Sequence, residues 1–527
     1  MRSPASGCSS TPPPDQVQKH STAILYLSIA MSIFSKASAG QSHATASGPA
    51  KHGKAAEMPY PKNETNYEVE IAATRGSFRV YKRRFFGLCQ LVLLNIVISW
   101  DWLTFSSISS TSAEYFQVSE STINWLSTAF LFAFCVATPA VMYMLNKGGP
   151  KSVIITASVL ILIGNWIRYA GTKAQGGIFG VVMFGQLLLG FAQPFALAAP
   201  TRYSDLWFSE QGRTSATAFA TLANPLGAAI GQLVDSFWTV KPSDIPNMVL
   251  WISVIATITC IPSLFIPARP PTPASASAAV AKTPFGESIR GIVRFREFWL
   301  IFIAFSVYVG FFNSVSTLIN QILLPYGFSE TDAGIAGGVL IVAGLISSAI
   351  VSPINDRYKQ YLLVIRICVP VHAISYIGLY FAPSSPYGLA PSIVVCALLG
   401  VSAFALLPVV LEYLVEITYP YSPEISSTLL WMGGQLLGGI FTIIQTELKA
   451  GQDGAHPPQN MKRSLIFSAV IACVVALFPL TLNVIGPKIV NRRLEADWND
   501  IHHAHNRDLD VPLQNRNNTA EARVTDQ

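Results

Sequence analysis

The side chains with the most chemical potential in this sequence stand inside long apolar runs. Asp101 lies between two tryptophans in "SWDWLTF", Ser99 to Phe105. An ionised carboxylate at the centre of a membrane helix costs roughly 2.5 to 3.5 kcal/mol on insertion scales, so it needs a partner or a task. A cation over the face of Trp102 would gain about 2 kcal/mol or more once desolvated, and a neighbouring carboxylate adds Coulomb attraction. The pair suits an ammonium-bearing solute or a coupled proton. Adjacent residues differ by about 100° around a helix, so Asp101 flanks the face of Trp102 and does not share it. The competing expectation is an ion pair with a neighbouring helix, for instance with Arg168 near the end of the third apolar run.

Other polar residues recur at helical spacing. Asn95, Ser99, Trp102, Ser106 and Ser109 share one face of the first run, as do Ser306, Gly310, Asn313, Thr317 and Asn320 in the seventh. The fifth supplies Thr217, Thr221, Asn224, Ala228 and Gly231, and the eleventh Trp431, Gln435, Gly439 and Thr442. Small residues on such faces also permit close helix packing, but Trp102, Asn224, Asn313 and Gln435 are too bulky or too polar for that alone. Gln186 and Gln193 lie seven residues apart on the fourth run, with Pro194 next, and Asn224-Pro225 repeats the device. Such prolines free backbone carbonyls that a cavity can satisfy. Trp102, Gln193, Asn224, Asn313, Gln435 and Asp101 are therefore the expected substrate-binding set.

The elements that must hold them are membrane helices. Of 527 residues, 51% are hydrophobic and 12% charged, and the mean hydropathy of +0.42 excludes an ordinary soluble domain. Twelve runs of about 20 residues begin near Phe86, Ser121, Ser152, Ile178, Thr214, Met248, Phe298, Ala333, Tyr361, Gly388, Glu424 and Ser464. Each can cross a hydrocarbon core of about 30 Å. The net charge of +6 is dispersed at run ends and does not point to nucleic acid. Basic residues gather before the first run (Arg75, Arg79, Lys82, Arg83, Arg84), after the second (Lys147, Lys151) and after the fourth (Arg202, Arg213). They recur before the seventh (Arg269, Lys282, Arg290, Arg294, Arg296), after the eighth (Arg357, Lys359) and after the last (Lys488, Arg492, Arg493). Lys449, Lys462 and Arg463 run against the trend. This bias predicts cytoplasmic termini.

Residues 1–80 and 491–527 are expected to be disordered tails, with 81–268 and 298–490 as two six-helix bundles and 269–297 as a cytoplasmic linker. "STAILYLSIAMSIFSKASAG" imitates a secretory signal, but a cleaved leader would conflict with the basic cluster at Arg75 to Arg84. Six of seven cysteines fall inside the runs and read as packing residues. The tail "HHAH" (His502, His503, His505) could hold a metal or haem weakly, and sequons at Asn63 and Asn517 fall in tails expected to stay unmodified. No cofactor, metal site or catalytic motif is expected, which argues against an enzyme.

The halves echo each other at a spacing of about 211 residues. Trp102 maps on Asn313, Asp205 on Glu416, Ser215 on Ser426, Thr217 on Thr428, Asn224 on Gln435 and Gly227 on Gly438, and "LNKGGPK" is answered by "INDRYKQ". Two parallel six-helix halves joined by a linker resemble the major facilitator superfamily, whose binding sites lie at mid-membrane between the halves.

More specific stretches are "INWLS" at 123–127, "FGQLLLGFAQPF" at 184–195, "PTRYSDLWF" at 200–208, "NSVSTLINQ" at 313–321, "DAGIAGGVLIVAG" at 332–344 and "LEYLVEITYP" at 411–420. Over residues 80 to 490 they resemble the feline leukaemia virus subgroup C receptor family, solute carrier family 49. The resemblance implies a twelve-helix facilitator that moves choline or ethanolamine, with haem export the older proposal for the same family. It also implies that Trp102, Gln193 and Gln435 are the cavity tryptophan and glutamines. The chain departs from the family at Asn313, where vertebrate members carry an aromatic, and at Asp101, where they carry glutamine. Losing that aromatic weakens a quaternary-ammonium cage.

Glu412 and Glu416, with Asp205, Arg202, Asp356 and Arg357, are expected to form gating or structural ion pairs, and Arg366 and His372 to be structural. Haem suits the Asp101/Trp102 region badly, because its propionates want basic partners. The expected protein is thus a monomeric plasma-membrane transporter of a small solute, with a non-transporting receptor or scaffold as the alternative class.

Overall fold

The computed structural model describes residues 79–272, 274, 285–418, 421, 423–451 and 456–482. The two tails, including residues 21–39, Asn63, Asn517 and the three tail histidines, lie outside the described residues, as does the side chain of Asp356.

Among the described residues there is no strand, and the long apolar runs become helices. The first is Arg84–Leu103, continued past an irregular turn by Ser109–Phe116. The second and third, Glu120–Leu145 and Lys147–Lys173, meet at a kink where Gly149 takes φ 71°, a conformation that glycine adopts at little cost. Then follow the fourth, Phe179–Trp207, and the fifth, Glu210–Ile230, which passes through a π turn at Gly231–Asp235 into Ser236–Trp238. The sixth is Ile245–Cys260. In the second half come the seventh, Arg296–Leu323, the eighth, Glu330–Tyr358, and the ninth, Tyr361–Phe381. The tenth, Ala390–Thr418, the eleventh, Pro423–Glu447, and the twelfth, Lys462–Leu480, complete it. A short helix, Phe285–Ile292, sits within the linker.

Eleven of these helices are long and apolar enough to cross a membrane. The fifth is the exception, because Thr217, Thr221 and Asn224 take positions that a lipid-facing helix would fill with leucine. Its one proline, Pro225, and Pro194 of the fourth helix do not interrupt their helices; the irregularity comes later, at the π turn. Large apolar side chains such as Val136, Ile258, Ile374, Val394 and Leu477 are exposed, as expected for surfaces that lipid covers.

Glycines set the helix spacing. A Cβ on Gly227 would stand 2.0 Å from the Ile96 carbonyl oxygen, so the fifth helix rides directly on the first. Its repeat mate Gly438 has the same task between the eleventh and seventh helices, where a Cβ would meet Asn313 at 2.8 Å. The 211-residue repeat is thus a repeat of contacts, and the small-residue reading holds for these two positions.

The halves meet along two lines. The second helix touches the eleventh, with Cys135 Sγ donating to the Met432 carbonyl (3.5 Å) and Phe132 over Gly439. The π turn after the fifth helix packs on Gly334, Gly337 and Gly338 of the eighth.

Candidate substrate site

Between the halves lies a cavity with about 100 Å³ open to the centres of water molecules. One water needs roughly 10 to 15 Å³ on that measure, so several waters or one small solute fit. Each half supplies two kinds of wall. From the first half come Ser99 and Trp102 of the first helix, Gln193 of the fourth, and Asn224 and Ala228 of the fifth. From the second come Asn313, Gln435, His372 and the rings of Phe305, Tyr308, Phe312, Phe404 and Trp431. Five of the six residues expected from the sequence therefore share one cavity. They include two repeat pairs, Trp102 with Asn313 and Asn224 with Gln435.

The polar groups divide into those already satisfied and those not. Asn313 Nδ2 donates to Gln435 Oε1 (3.0 Å), which fixes both amides across the seventh and eleventh helices. Four cavity-lining residues of the first half each have a buried polar atom with no hydrogen-bond partner: Ser99 Oγ, Trp102 Nε1, Gln193 Oε1 and Asn224 Nδ2. Leaving a buried polar group unpaired costs about 1 to 3 kcal/mol, so these atoms favour a polar occupant. No Asp, Glu, Lys or Arg is among the lining residues. The wall offers aromatic faces and neutral dipoles, which attract an organic cation through its surface and give a bound anion no countercharge.

The cavity reaches Ile301, Ile365 and Leu482, which sit close to the ends of the seventh, ninth and twelfth helices nearest the linker. The opposite, distal end is sealed. Glu330, in the first turn of the eighth helix, accepts from the Ser110 amide (2.9 Å) and hydroxyl (2.6 Å), the Thr111 amide (3.2 Å) and hydroxyl, and Asn320 Nδ2 (2.9 Å). Two of those donors are free N–H groups at the start of helix Ser109–Phe116, where the helix dipole also favours an anion. Asn124 and Gln321 hydrogen-bond reciprocally beside it, and Lys449 pairs with Glu120 at 2.6 Å. This seal joins the two halves, and nothing in the sequence pattern singled out Glu330 for it.

Asp101 is the correction. It does not line the cavity; it is fully buried and turned the other way, paired with Arg168 Nη2 at 3.1 Å and with Asn165 Nδ2 at 2.8 Å. Arg168 Nη1 bridges the Asp101 carbonyl and Gln186 Oε1, both at 2.9 Å. The 100° step from Trp102 sends the carboxylate into the first half. Gln186 and Gln193 are separated by the same geometry: one joins the charge cluster, the other the cavity.

Arg202 pairs with Asp205 at 3.0 Å, within one turn of its own helix and not with the tenth, while Arg357 lies 6.0 Å from the ring of Tyr358. Glu416 is buried and Glu412 half-buried near the linker end of the tenth helix. Arg366 reaches the Leu482 carbonyl at 3.3 Å. His372 was expected to be structural, and its Nδ1 does meet Ser402 Oγ at 2.8 Å, yet it also lines the cavity. The signal available for it was a histidine one turn from an aromatic-rich face.

Known proteins place this geometry. A family model described as the Major Facilitator Superfamily matches residues 91–442. Solute carrier family 49 member A3 of Danio rerio is 33% identical over 77% of this chain and 85% of its own length. The choline/ethanolamine transporter FLVCR1 of Felis catus is 32% identical over 69% of this chain and 68% of its own. Among solved structures, a bacterial homolog of the human lysosomal transporter Spinster in an inward-facing, unoccupied conformation matches with a TM-score of 0.59. It is 14% identical over 76% of this chain and 97% of that one. The D-xylose-proton symporter matches at 0.58, also 14% identical, over 75% and 97%. The two structures bear out the fold, and the sequence matches bear out the narrower kinship: the chain belongs to the major facilitator superfamily and, within it, to solute carrier family 49.

Proposed function

We propose that this transporter carries a small organic cation of the ethanolamine or choline type, alternating the access of the cavity around Trp102. The observation that carries the reading is the wall itself, aromatic and neutral, with unpaired polar atoms from the first half facing a fixed amide pair from the second. A primary ammonium can donate to Gln193 Oε1 while its charge rests on the Trp102 face. Ethanolamine fits this wall better than choline, because the seventh helix offers Asn313 in place of a further ring. The relatives named choline/ethanolamine transporters support the same class of cargo.

The basic residues at the linker end support cytoplasmic termini, so the described state faces inward. The plasma membrane and a monomeric working unit complete the reading, and neither catalysis nor nucleic-acid binding has a part in it. Haem is disfavoured, because its two propionates would find no Lys or Arg in the wall, and the Nδ1 of His372 there is already engaged by Ser402.

Uptake of labelled ethanolamine and choline into proteoliposomes holding the full chain tests this. Saturable uptake, with ethanolamine preferred and both lost in Trp102→Ala, supports it. No uptake of either by a monodisperse preparation overturns it.

A further inference from the structure

The charge cluster of the first half contains one guanidinium and two carboxylates. Beside Asp101 and Arg168 stands Asp235, the last residue of the π turn, fully buried and within electrostatic reach of both. Its Oδ1 accepts from Trp100 Nε1 at 2.8 Å, and its Oδ2 has no partner. The three described hydrogen bonds of Arg168 go to Asp101 Oδ1, the Asp101 carbonyl and Gln186, none to Asp235. Two ionised carboxylates would leave the cluster with one uncompensated negative charge in a dry site, a cost of several kcal/mol. One proton on Asp235 Oδ2 removes it. A metal ion would need several oxygen ligands, and no group of three metal-binding side chains occurs among the described residues.

The place of Asp235 gives that proton a consequence. Its π turn is part of the distal seal. A Cβ on Gly334 would stand 2.3 Å from Ser236 Oγ, one on Gly338 2.5 Å from Leu233 Cγ, and one on Gly337 3.0 Å from the Gln232 amide. Gln232 Nε2 donates to the Ser316 carbonyl at 2.6 Å, and Thr331 reaches the Ser236 carbonyl at 3.5 Å. Opening the distal mouth must lift the eighth helix off this turn and let water approach the carboxylate. π turns inside α-helices are frequent at functional sites.

We propose that Asp235 is a proton-binding site in exchange with the distal compartment, occupied when the distal mouth is closed and emptied when it opens. The proton binds Oδ2 from distal water and returns to distal water, so no net proton crosses the membrane. Acid on that side then favours the closed mouth, by up to about tenfold per pH unit, the limit for a single proton.

The groups facing Asp235 are few. The first helix contributes Asp101 and the third Arg168, and the sixth packs Met248, Val249 and Ile252 in one apolar cluster with Trp100, the hydrogen-bond donor to Asp235. The eighth brings Glu330 and Asp332 in its first turn, and the turn before the sixth brings Lys241 and Asp244. Glu330 is the main competitor as a pH sensor and has the opposite sign. Protonating it would weaken its hold on Ser110 and Thr111, so acid would open the mouth.

Spin labels carried by unnatural amino acids at Glu114 and Tyr387, both exposed, report the mouth in the full chain without any substrate. Between about pH 5 and about pH 9 the long-distance population should grow several-fold with rising pH. Asp235→Asn should hold the short distance throughout, and Asp235→Glu should restore the dependence. A pH-flat profile, opening in acid, or an Asp235→Asn variant with the wild-type profile would overturn the proposal. Where Asp235→Asn does not fold, the sign of the wild-type profile alone decides. Transport of ethanolamine can fail or succeed independently of this result.

Discussion

The two halves share a repeat but handle buried polarity in opposite ways. In the first, Asp101, Arg168 and Asp235 form a charged cluster at zero exposure. The positions 211 residues on are Phe312, Leu379 and Thr446, which carry no charge. Both halves build six helices with the same glycine contacts, so the cluster is not required by the architecture. It is an addition to one half, and the side chains that each half turns to the cavity remain neutral. The difference separates two tasks: cargo contact is shared by the halves, whereas the fully buried guanidinium–carboxylate cluster belongs to the first and lies beside the distal seal.

Breaking the charge cluster should have the largest effect. Arg168→Leu leaves Asp101 buried without its partner and should cost about 3 to 5 kcal/mol, read as a lower thermal midpoint and poor yield. Adding Asp101→Leu should recover most of that loss, since apolar pairs replace buried ion pairs at little cost. A double variant as unstable as the single would mean that the cluster also organises the first half.

A second contrast lies between the walls of the cavity. Trp102→Ala should lower ethanolamine affinity by about 2 kcal/mol, roughly thirtyfold, with the fold kept. His372→Phe on the opposite wall should change affinity less, because its Nδ1 is already engaged by Ser402. Competition binding on the two variants ranks them.

Smaller effects belong to the seal. Glu330→Gln replaces a charged acceptor by a neutral one and should weaken the closed mouth by about 1.5 to 3 kcal/mol, seen as a longer distal distance in the spin-label experiment. Lys449→Ala removes a partly exposed pair with Glu120 and should change stability by under about 1 kcal/mol.

These contrasts also show what could be read in the sequence. Period and length gave the helices, and the repeat gave Trp102/Asn313 and Asn224/Gln435 as neighbours, because residues on one helix face stay on one face after folding. Asp101 was open to two readings, and the pairing with Arg168 holds while the place in the cavity does not; the choice depends on tertiary packing that helix periodicity leaves open. The fifth helix hid Asp235: "GQLVDSFW" places a second acid in an apolar stretch, but its relation to Arg168 depends on a π turn that no spacing rule announces. Glu330 was hidden for the same reason, four of its five donors lying some 220 residues away. Of the charges near the linker end, expected as gating or structural ion pairs, Arg202 and Asp205 do pair, one turn apart on the same helix.

The central claim is that a small cation rests between Trp102 and the Asn313–Gln435 pair. A density map of the full chain saturated with ethanolamine tests it most directly. The account expects compact density against the Trp102 face, within hydrogen-bond reach of Gln193. An empty cavity at saturation, or ethanolamine bound elsewhere, would contradict it.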